Sequence, residues 1–322
     1  MEVASEPTRV QTLAQAGLTQ VPPQYIQPPH NRPNHPSSSS AVPSITLFGL
    51  DPTRRDTVRT SIAQACRDWG AFHVTDHGIP ASLLHDIRRV GLTFFNDSPV
   101  HDKLRYACDP TSAASEGYGS RMLEKDDTVL DWRDYFDHHT LPLTRRDPTR
   151  WPDFPPEYRR VVAEYSDKIA ALARELLGLI AESLELKTQR LEEEAHLDFG
   201  AITLLVQDEV GGLEVLKDNE WVPVTPLGGD AIVVLLADQT EIMTNGKYKS
   251  SVHRAITNSN RPRLSVATFH DPAKTVKVSP ASELISQSTP PLYGEVVYGD
   301  YVSSWYTKGP EGKRNIDALL LE

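Results

Sequence analysis

The second half of the sequence contains short runs of apolar and β-branched residues that are separated by turn residues. The runs are ITLLVQ, LEVLK, WVPVT, AIVVLL, SVHRAIT and LSVATF, and between them lie GG, DNE, GGD and NGK. Short runs of this kind, bounded by Gly, Asn and Asp, are typical of β-strands joined by turns. Many short strands in succession predict a barrel or a jelly roll.

The first half of the sequence has helical rather than strand periodicity. Residues 156–186 predict a long helix, because their apolar residues recur at spacings of three and four. This apolar stripe consists of Tyr158, Val162, Tyr165, Ile169, Leu172, Leu176 and Ile180. Two shorter helices are predicted over 57–69 and 81–95, with Gly70 as the stop of the first. The sequence therefore predicts an α+β fold with a helix-rich N-terminal region and a strand-rich core.

The same patterns divide the chain into five predicted segments. A Pro/Ser-rich N-terminal extension covers 1–43, and it has too few apolar residues to fold alone. An N-terminal region covers 44–155 and the long helix with its connector covers 156–195. The strand-rich core covers 196–280, and a C-terminal helical tail that could fold back as a lid covers 281–322.

Composition excludes several classes of function. The net charge of -11 argues against nonspecific binding to nucleic acid or to an anionic membrane surface. Cys66 and Cys108 are far apart and lack the spacing of a zinc site, so we expect both to be reduced and structural. No apolar run approaches the length of a membrane span, and a cytoplasmic, monomeric protein is expected.

Three residues in the core have the chemistry of a metal site. His196 and Asp198 are two positions apart at the start of a predicted strand, so their side chains point to the same face. His253 lies in another predicted strand and could supply a third ligand. Two imidazoles and one carboxylate form the facial triad of non-haem Fe(II) oxygenases. Each motif alone is weak, because a His-x-Asp triplet arises by chance and His253 could be an ordinary strand histidine.

A second pair of residues could bind a carboxylate. Arg263 and Ser265 are again two positions apart and share one face of a predicted strand. The guanidinium of Arg263 offers a planar fork that matches a carboxylate, and the hydroxyl of Ser265 could add a hydrogen bond. The pair alone is common, but its position ten residues after His253 supports a shared site.

Taken together, these motifs resemble those of the plant Fe(II)/2-oxoglutarate-dependent dioxygenases. The resemblance includes WGAFHVTDHGIP, HLDFGAITLLVQDEVGGLEV, TNGKYKSSVHRAITNS and PRLSVATFHDP, and it covers nearly the whole chain. The opening RVQTLAQAGLTQVPPQYIQP resembles that of the anthocyanidin synthase (leucoanthocyanidin dioxygenase) and jasmonate-induced oxygenase branches.

The resemblance implies a double-stranded β-helix (jelly-roll) core and a specific set of roles. His196, Asp198 and His253 would bind Fe(II), while Arg263 and Ser265 would hold the distal carboxylate of 2-oxoglutarate. The implied enzyme hydroxylates or desaturates a plant small molecule, such as a flavonoid or a jasmonate. It uses O2, releases succinate and CO2, and is supported by ascorbate.

The resemblance also implies aromatic residues at the substrate pocket. Phe269, Tyr135 and Phe136 match positions at which aromatic side chains line the pocket in the flavonoid branch. For Phe136, packing in the hydrophobic core is an equally good interpretation of the sequence.

One departure from the family pattern bears on activity. Family members have a strand and a Pro-rich loop between the long helix and the His-x-Asp motif, whereas here RLEEEA directly precedes HLDFG. The core is therefore expected to lack one strand. One alternative is a shortened relative that retains the metal ligands but is weakly active or inactive. Another is an iron oxidase of the same fold that does not use 2-oxoglutarate.

Overall fold

The computed structural model describes residues 9–33, 40–49, 51–108, 116–120, 129–186, 201–308 and 315–321. The α-helices are α1 (Val10–Gln15), α2 (Pro52–Asp68), α3 (Ala81–Asp97), α4 (Val100–Leu104), α5 (Tyr158–Glu182), α6 (Asp238–Met243) and α7 (Tyr298–Lys308). The strands are β1 (Ser44–Thr46), β2 (Ala71–Thr75), β3 (Gly117–Gly119), β4 (Tyr135–Asp137), β5 (Ile202–Gln207), β6 (Leu213–Lys217), β7 (Glu220–Pro223), β8 (Ile232–Leu236), β9 (His253–Ala255), β10 (Ser265–His270), β11 (Lys277–Val278) and β12 (Val296–Val297).

These elements confirm the predicted order of helices followed by short strands. The long helix, the two shorter helices and a helix in the C-terminal tail all form where the sequence predicts them. None of the helices in the described ranges is both long and apolar enough to cross a membrane. The chain divides into two compact units, one formed by 1–34 with 89–166 and the other by 35–88 with 167–322.

The second unit contains two β-sheets that share one hydrophobic core. The larger sheet has the order β1-β2-β8-β5-β10, in which β1 and β2 are parallel and the other pairs are antiparallel. The smaller sheet has the antiparallel order β7-β6-β9. Side chains from both sheets form a single buried cluster: Ala71, Leu205, Val233 and Leu235 from the larger, and Leu213, Val215 and Val222 from the smaller. This is the packing of a β-sandwich.

The C-terminal residues form a second, smaller core in the same unit. Ile242 of α6 packs with Val278 of β11, Tyr293, Tyr298 and Ile316, all buried. The side chain of Asn245 attaches the tail further, because its amide donates to the carbonyl of Pro290. The tail is therefore fixed to α6 by both apolar packing and hydrogen bonds.

The first unit is held together by aromatic side chains. Phe94 lies at the centre of this cluster and makes edge or tilted contacts with five other rings. They are those of Phe95, Tyr106, Tyr118, Phe136 and Tyr158. The N-terminal segment is attached at two points. Asp134 accepts hydrogen bonds from the backbone nitrogens of Val10 and Gln11 at the start of α1, and the ring of Tyr25 packs edge-on against Trp132.

Strand β4 places a carboxyl group in a poorly solvated position within the first unit. Burial raises the pKa of Asp137 from 3.8 to about 6, the nearby Glu116 adds to this rise, and Arg133 opposes it. Asp137 shares a face of β4 with Tyr135, because the two residues are two positions apart in a strand.

A close approach of two backbone segments requires glycine at position 70 of the second unit. Gly70 ends α2 with φ +63°, and a Cβ at this position would collide with the carbonyl oxygen of Lys249. Gly78, which follows β2, also has a positive φ of +78°, but a Cβ there would meet nothing within 4 Å. Both positions therefore carry the cost of a positive φ, but only position 70 also excludes a Cβ sterically.

Gly70→Ala is expected to destabilise the protein much more than Gly78→Ala. Positive φ alone costs roughly 1 kcal/mol, which both variants should show. The collision with Lys249 should bring the loss at Gly70 to about 2–4 kcal/mol in the free energy of unfolding by urea. Equal losses for the two variants would contradict the close approach.

Asp137→Asn is expected to stabilise the protein at high pH. Since the folded-state pKa is raised, the favourable contribution of Asp137 is complete below its ordinary pKa and is lost as the pH rises through about 6. The free energy of unfolding of the variant, relative to that of the original protein, should rise by on the order of 2 kcal/mol between about pH 4 and about pH 8, as measured by thermal unfolding. Asp218→Asn, whose side chain is 81% exposed, serves as the control. A gain at Asp137 that does not depend on pH would contradict the assignment.

Candidate active site

Only part of the predicted metal site lies in the described residues. His196 and Asp198 fall outside them, so the structure brings neither together with His253. Within the described ranges there is no group of three His, Cys, Asp or Glu side chains that could hold a metal ion. The site can therefore be described only at His253 and at the residues around Arg263.

His253 begins β9, the outer strand of the smaller sheet, and its side chain is exposed. It lies opposite Val215 of the buried cluster, so its ring is on the face that the two sheets share. The Nδ1 atom is 2.7 Å from the carbonyl oxygen of Ser251. A carbonyl can only accept, so Nδ1 carries the proton and the unprotonated Nε2 is the atom free to bind a metal.

Arg263 precedes β10. Its side chain lies with those of Ser265 and Gln207 at one end of the larger sheet, and these three residues form the Arg263 corner. One terminal nitrogen donates to the hydroxyl of Ser265 at 3.0 Å and the other to the amide oxygen of Gln207 at 3.4 Å. The Nε atom is buried and has no hydrogen-bond acceptor among the described residues. Burial lowers the pKa of Arg263 and the nearby carboxylate of Asp208 opposes this, but the guanidinium remains charged.

The corner around Arg263 suits an anion. No described carboxylate lies within ion-pair distance of the guanidinium, and its two partners, Ser265 and Gln207, are uncharged. A half-buried guanidinium without a directly paired carboxylate is poorly compensated, because Asp208 acts on it only at a distance, and an unsatisfied Nε adds to that cost. A carboxylate placed against the fork would remove both penalties.

Sequence reasoning missed two residues that build this corner. Gln207 is buried and lies directly opposite Ser265 in the pairing of β5 with β10. Gly212 has φ +100°, and a Cβ there would lie 3.7 Å from Cδ of Arg263 and collide with Ile256. Their signal was weak: a polar residue at the end of the apolar run ITLLVQ and one glycine of a GG turn.

Phe269 lies on the same face of β10 as Ser265. It is opposite Thr203 of β5, and 64% of its surface is exposed; Ala267, between Ser265 and Phe269 on this face, is exposed as well. Strand β10 is the outermost strand of its sheet in the part of the chain that the structure describes. An exposed aromatic ring on the same strand face as Ser265 is available to contact a bound small molecule.

The other two predicted pocket residues lie in the first unit and point to opposite faces of β4. The ring of Tyr135 covers Gly119, where a Cβ would collide with the Tyr135 hydroxyl group. The Tyr135 hydroxyl lies 3.7 Å from Sγ of Cys108, and burial raises the pKa of this hydroxyl.

Phe136 instead belongs to the aromatic cluster, with its ring centroid 5.5 Å from that of Phe94 and 4.5 Å from that of His138. Core packing, the alternative interpretation of this position, accounts for these contacts. Both cysteines are free, as expected, and burial raises the pKa of the Cys66 thiol.

Comparison with family models identifies two regions of the chain. Residues 42–157 match the N-terminal region of non-haem dioxygenases in morphine synthesis. Residues 181–272 match the 2OG-Fe(II) oxygenase superfamily.

Individual relatives match between 80% and 98% of this chain. Jasmonate-induced oxygenase 4 of Arabidopsis thaliana is 33% identical, over 97% of this chain and 96% of the relative. Naringenin,2-oxoglutarate 3-dioxygenase of Hordeum vulgare is 35% identical, over 80% of this chain and 75% of the relative. The crystal structure of JOX2 in complex with 2OG, Fe and JA is 34% identical, covers 98% of this chain and 99% of its own, and has a TM-score of 0.88.

These matches establish the jelly-roll fold and the enzyme class, with Fe(II) and 2-oxoglutarate as the cofactors of that class. The chain belongs to the plant branch of the 2OG-Fe(II) oxygenase superfamily, together with the jasmonate-induced oxygenases and the flavonoid dioxygenases.

Proposed function

We propose that this protein is a dioxygenase that oxidises a plant carboxylic acid of the jasmonate type, with 2-oxoglutarate bound at Arg263. The observation that carries the proposal is the Arg263 corner, in which a half-buried guanidinium with an unsatisfied Nε has only uncharged hydrogen-bond partners. The distal carboxylate of 2-oxoglutarate would supply the directly paired negative charge that Asp208, acting only at a distance, does not.

His253 is the one proposed iron ligand that the structure describes, and it presents an unprotonated Nε2 because its Nδ1–H donates to the carbonyl of Ser251. His196 and Asp198 are proposed as the other two ligands, which would complete a facial triad with open positions. When bound, Fe(II) and 2-oxoglutarate supply the oxidising chemistry with O2, and succinate and CO2 are the co-products. The chain itself would orient the ligands and pair the distal carboxylate with the Arg263 guanidinium, and the Ser265 hydroxyl would donate a hydrogen bond to the same carboxylate.

The relatives support the choice of substrate class. The JOX2 structure, which contains JA together with 2OG and Fe, aligns with nearly the whole chain. A flavonoid is the second candidate, supported by the similarity to naringenin,2-oxoglutarate 3-dioxygenase and by the exposed ring of Phe269. Tyr135 and Phe269 are proposed as substrate contacts, and Phe136 remains a weaker candidate because of its packing.

Two observations bear on the proposal that the core lacks a strand. The alignment with jasmonate-induced oxygenase 4 runs over 344 residues, which exceeds the 322 residues of this chain, so some positions of the relative have no counterpart here. Strands β9 and β10 are also at the edges of their sheets among the described residues. An edge strand has backbone N–H and C=O groups that are not paired with a neighbouring strand, and a further strand that paired with them would stabilise the sheet.

The proposed function is tested by measuring succinate formation with Fe(II), ascorbate and 2-oxoglutarate on a panel of jasmonates and flavonoids. A jasmonate should give substrate-dependent succinate in equal amount to the oxidised product. No turnover on any member of the panel by a folded, iron-loaded protein would contradict the proposal and favour the weakly active or inactive alternative. Substrate oxidation that needs ascorbate but not 2-oxoglutarate would favour the iron-oxidase alternative.

Arg263→Ala is expected to raise the concentration of 2-oxoglutarate needed for half-maximal turnover by about 100-fold. Removing one partner of a buried charge pair typically costs about 2–5 kcal/mol of binding free energy. The lower end of that range corresponds to a roughly 30-fold loss of affinity, and about 100-fold lies within it. Fe(II) binding in the absence of 2-oxoglutarate should change little, because Arg263 is not a proposed metal ligand.

Arg261→Ala provides the matched control two residues earlier. Arg261 is 59% exposed and pairs with the exposed Glu209, so its removal should leave the 2-oxoglutarate requirement unchanged. If both variants raised the requirement equally, a specific role for Arg263 would be excluded.

A further inference from the structure

A buried carboxylate in α6 supports the segment that carries His253. The side chain of Glu241 is 1% exposed. Its Oε2 accepts a hydrogen bond of 2.7 Å from the backbone nitrogen of Ser250. Its Oε1 accepts one of 2.8 Å from the hydroxyl of Tyr293, and lies 3.3 Å from Nζ of Lys249. One carboxylate thus connects α6, the segment 249–250 and the C-terminal tail.

The same segment leads directly to the His253 ring. The backbone nitrogen of Ser251, the residue after Ser250, donates to the carbonyl of Leu236 in β8 at 3.0 Å. The carbonyl oxygen of Ser251 accepts the Nδ1 proton of His253. The ring orientation of His253 is therefore set by the backbone position of 250–251, and Glu241 holds one end of that dipeptide.

The hydroxyl of Tyr293 is the connection to the tail. Tyr293 is buried in the C-terminal core, next to Leu292, whose backbone nitrogen donates to the side chain of Asn245 at 2.7 Å. A buried carboxylate needs several donors to remain in place, and Tyr293 supplies one that the segment itself cannot. Removing that donor should free Glu241 to shift with the backbone that it holds.

We infer that Glu241 and Tyr293 are positioning residues of the iron site, which act by fixing the Ser250–Ser251 backbone against which the His253 ring is oriented. The inference rests on His253 being an iron ligand, as proposed above. It assigns a role in metal affinity to a C-terminal residue that follows His253 by forty positions in the sequence and that lies in a separate core. Outer partners of metal-binding histidines commonly change metal affinity by about 10-fold or more.

The test is the affinity of the metal-free protein for Fe(II) alone, measured anaerobically by titration calorimetry. Tyr293→Phe should bind Fe(II) about tenfold more weakly than the original protein. It removes one hydroxyl and keeps the ring, so folding should survive. Glu241→Gln retains an oxygen acceptor for the Ser250 backbone nitrogen, whereas Glu241→Ala does not. The Gln variant should therefore lose less Fe(II) affinity than the Ala variant.

Tyr301→Phe is the matched control. The hydroxyl of Tyr301 donates to Asp238, so this variant also breaks a bond between the tail and a carboxylate of α6, but not the one that contacts Ser250. Tyr301→Phe should keep the original Fe(II) affinity. Equal weakening by both tyrosine variants would overturn the inference, since general loosening of the tail would then explain the effect.

His253→Ala separates this inference from the proposed function. If His253→Ala binds Fe(II) as the original protein does, the ligand assignment itself is wrong. If His253→Ala loses Fe(II) binding but Tyr293→Phe retains full affinity, the assignment stands and only the positioning role is overturned.

Discussion

The antiparallel register between β5 and β10 is the constraint on which the candidate site depends. It places Ser265 opposite Gln207 and Phe269 opposite Thr203, so that polar and aromatic residues share the inner face of the sandwich. A slip of one residue would turn every side chain of β10 to the other face. Arg263 would then lose its hydrogen bond to Gln207 of β5 and keep only Ser265, which lies two positions away and would turn with it. The binding chemistry is thus a consequence of strand pairing rather than of the Arg-x-Ser motif alone.

A second constraint is the buried charge of Glu241. Its desolvation is offset by hydrogen bonds from the Ser250 backbone and the Tyr293 hydroxyl, and Lys249 is the adjacent cation. Gly70 contributes to the same region, because only a residue without a Cβ lets the carbonyl of Lys249 lie so close to the end of α2. The segment before His253 is therefore held from α2, from α6 and from the tail. Such convergence is expected where a metal-binding side chain must be held in one orientation.

Local sequence patterns predicted most of the elements because helices and strands depend on nearby residues. The apolar stripe of 156–186 gives α5, and α2 stops just before Gly70 as predicted. The fold class followed from the succession of short apolar runs. The roles of Gln207 and Glu241 could not be predicted in this way, because their partners lie 56 and 52 positions away in the sequence. Tyr135 and Phe136 show the same limit. They are adjacent in sequence, yet one covers Gly119 and the other enters an aromatic core.

The proposed site combines His253, Arg263 and Ser265 in a chain that is shorter than its alignment with a jasmonate-induced oxygenase. We propose that this chain retains a site in which metal and 2-oxoglutarate bind together. The most direct measurement is a calorimetric titration of the intact protein with 2-oxoglutarate, in the presence and in the absence of Mn(II) as a redox-inert substitute for Fe(II). We expect one molecule of 2-oxoglutarate per chain, bound much more tightly when the metal is present. A folded protein that binds neither the metal nor 2-oxoglutarate would contradict the proposed site.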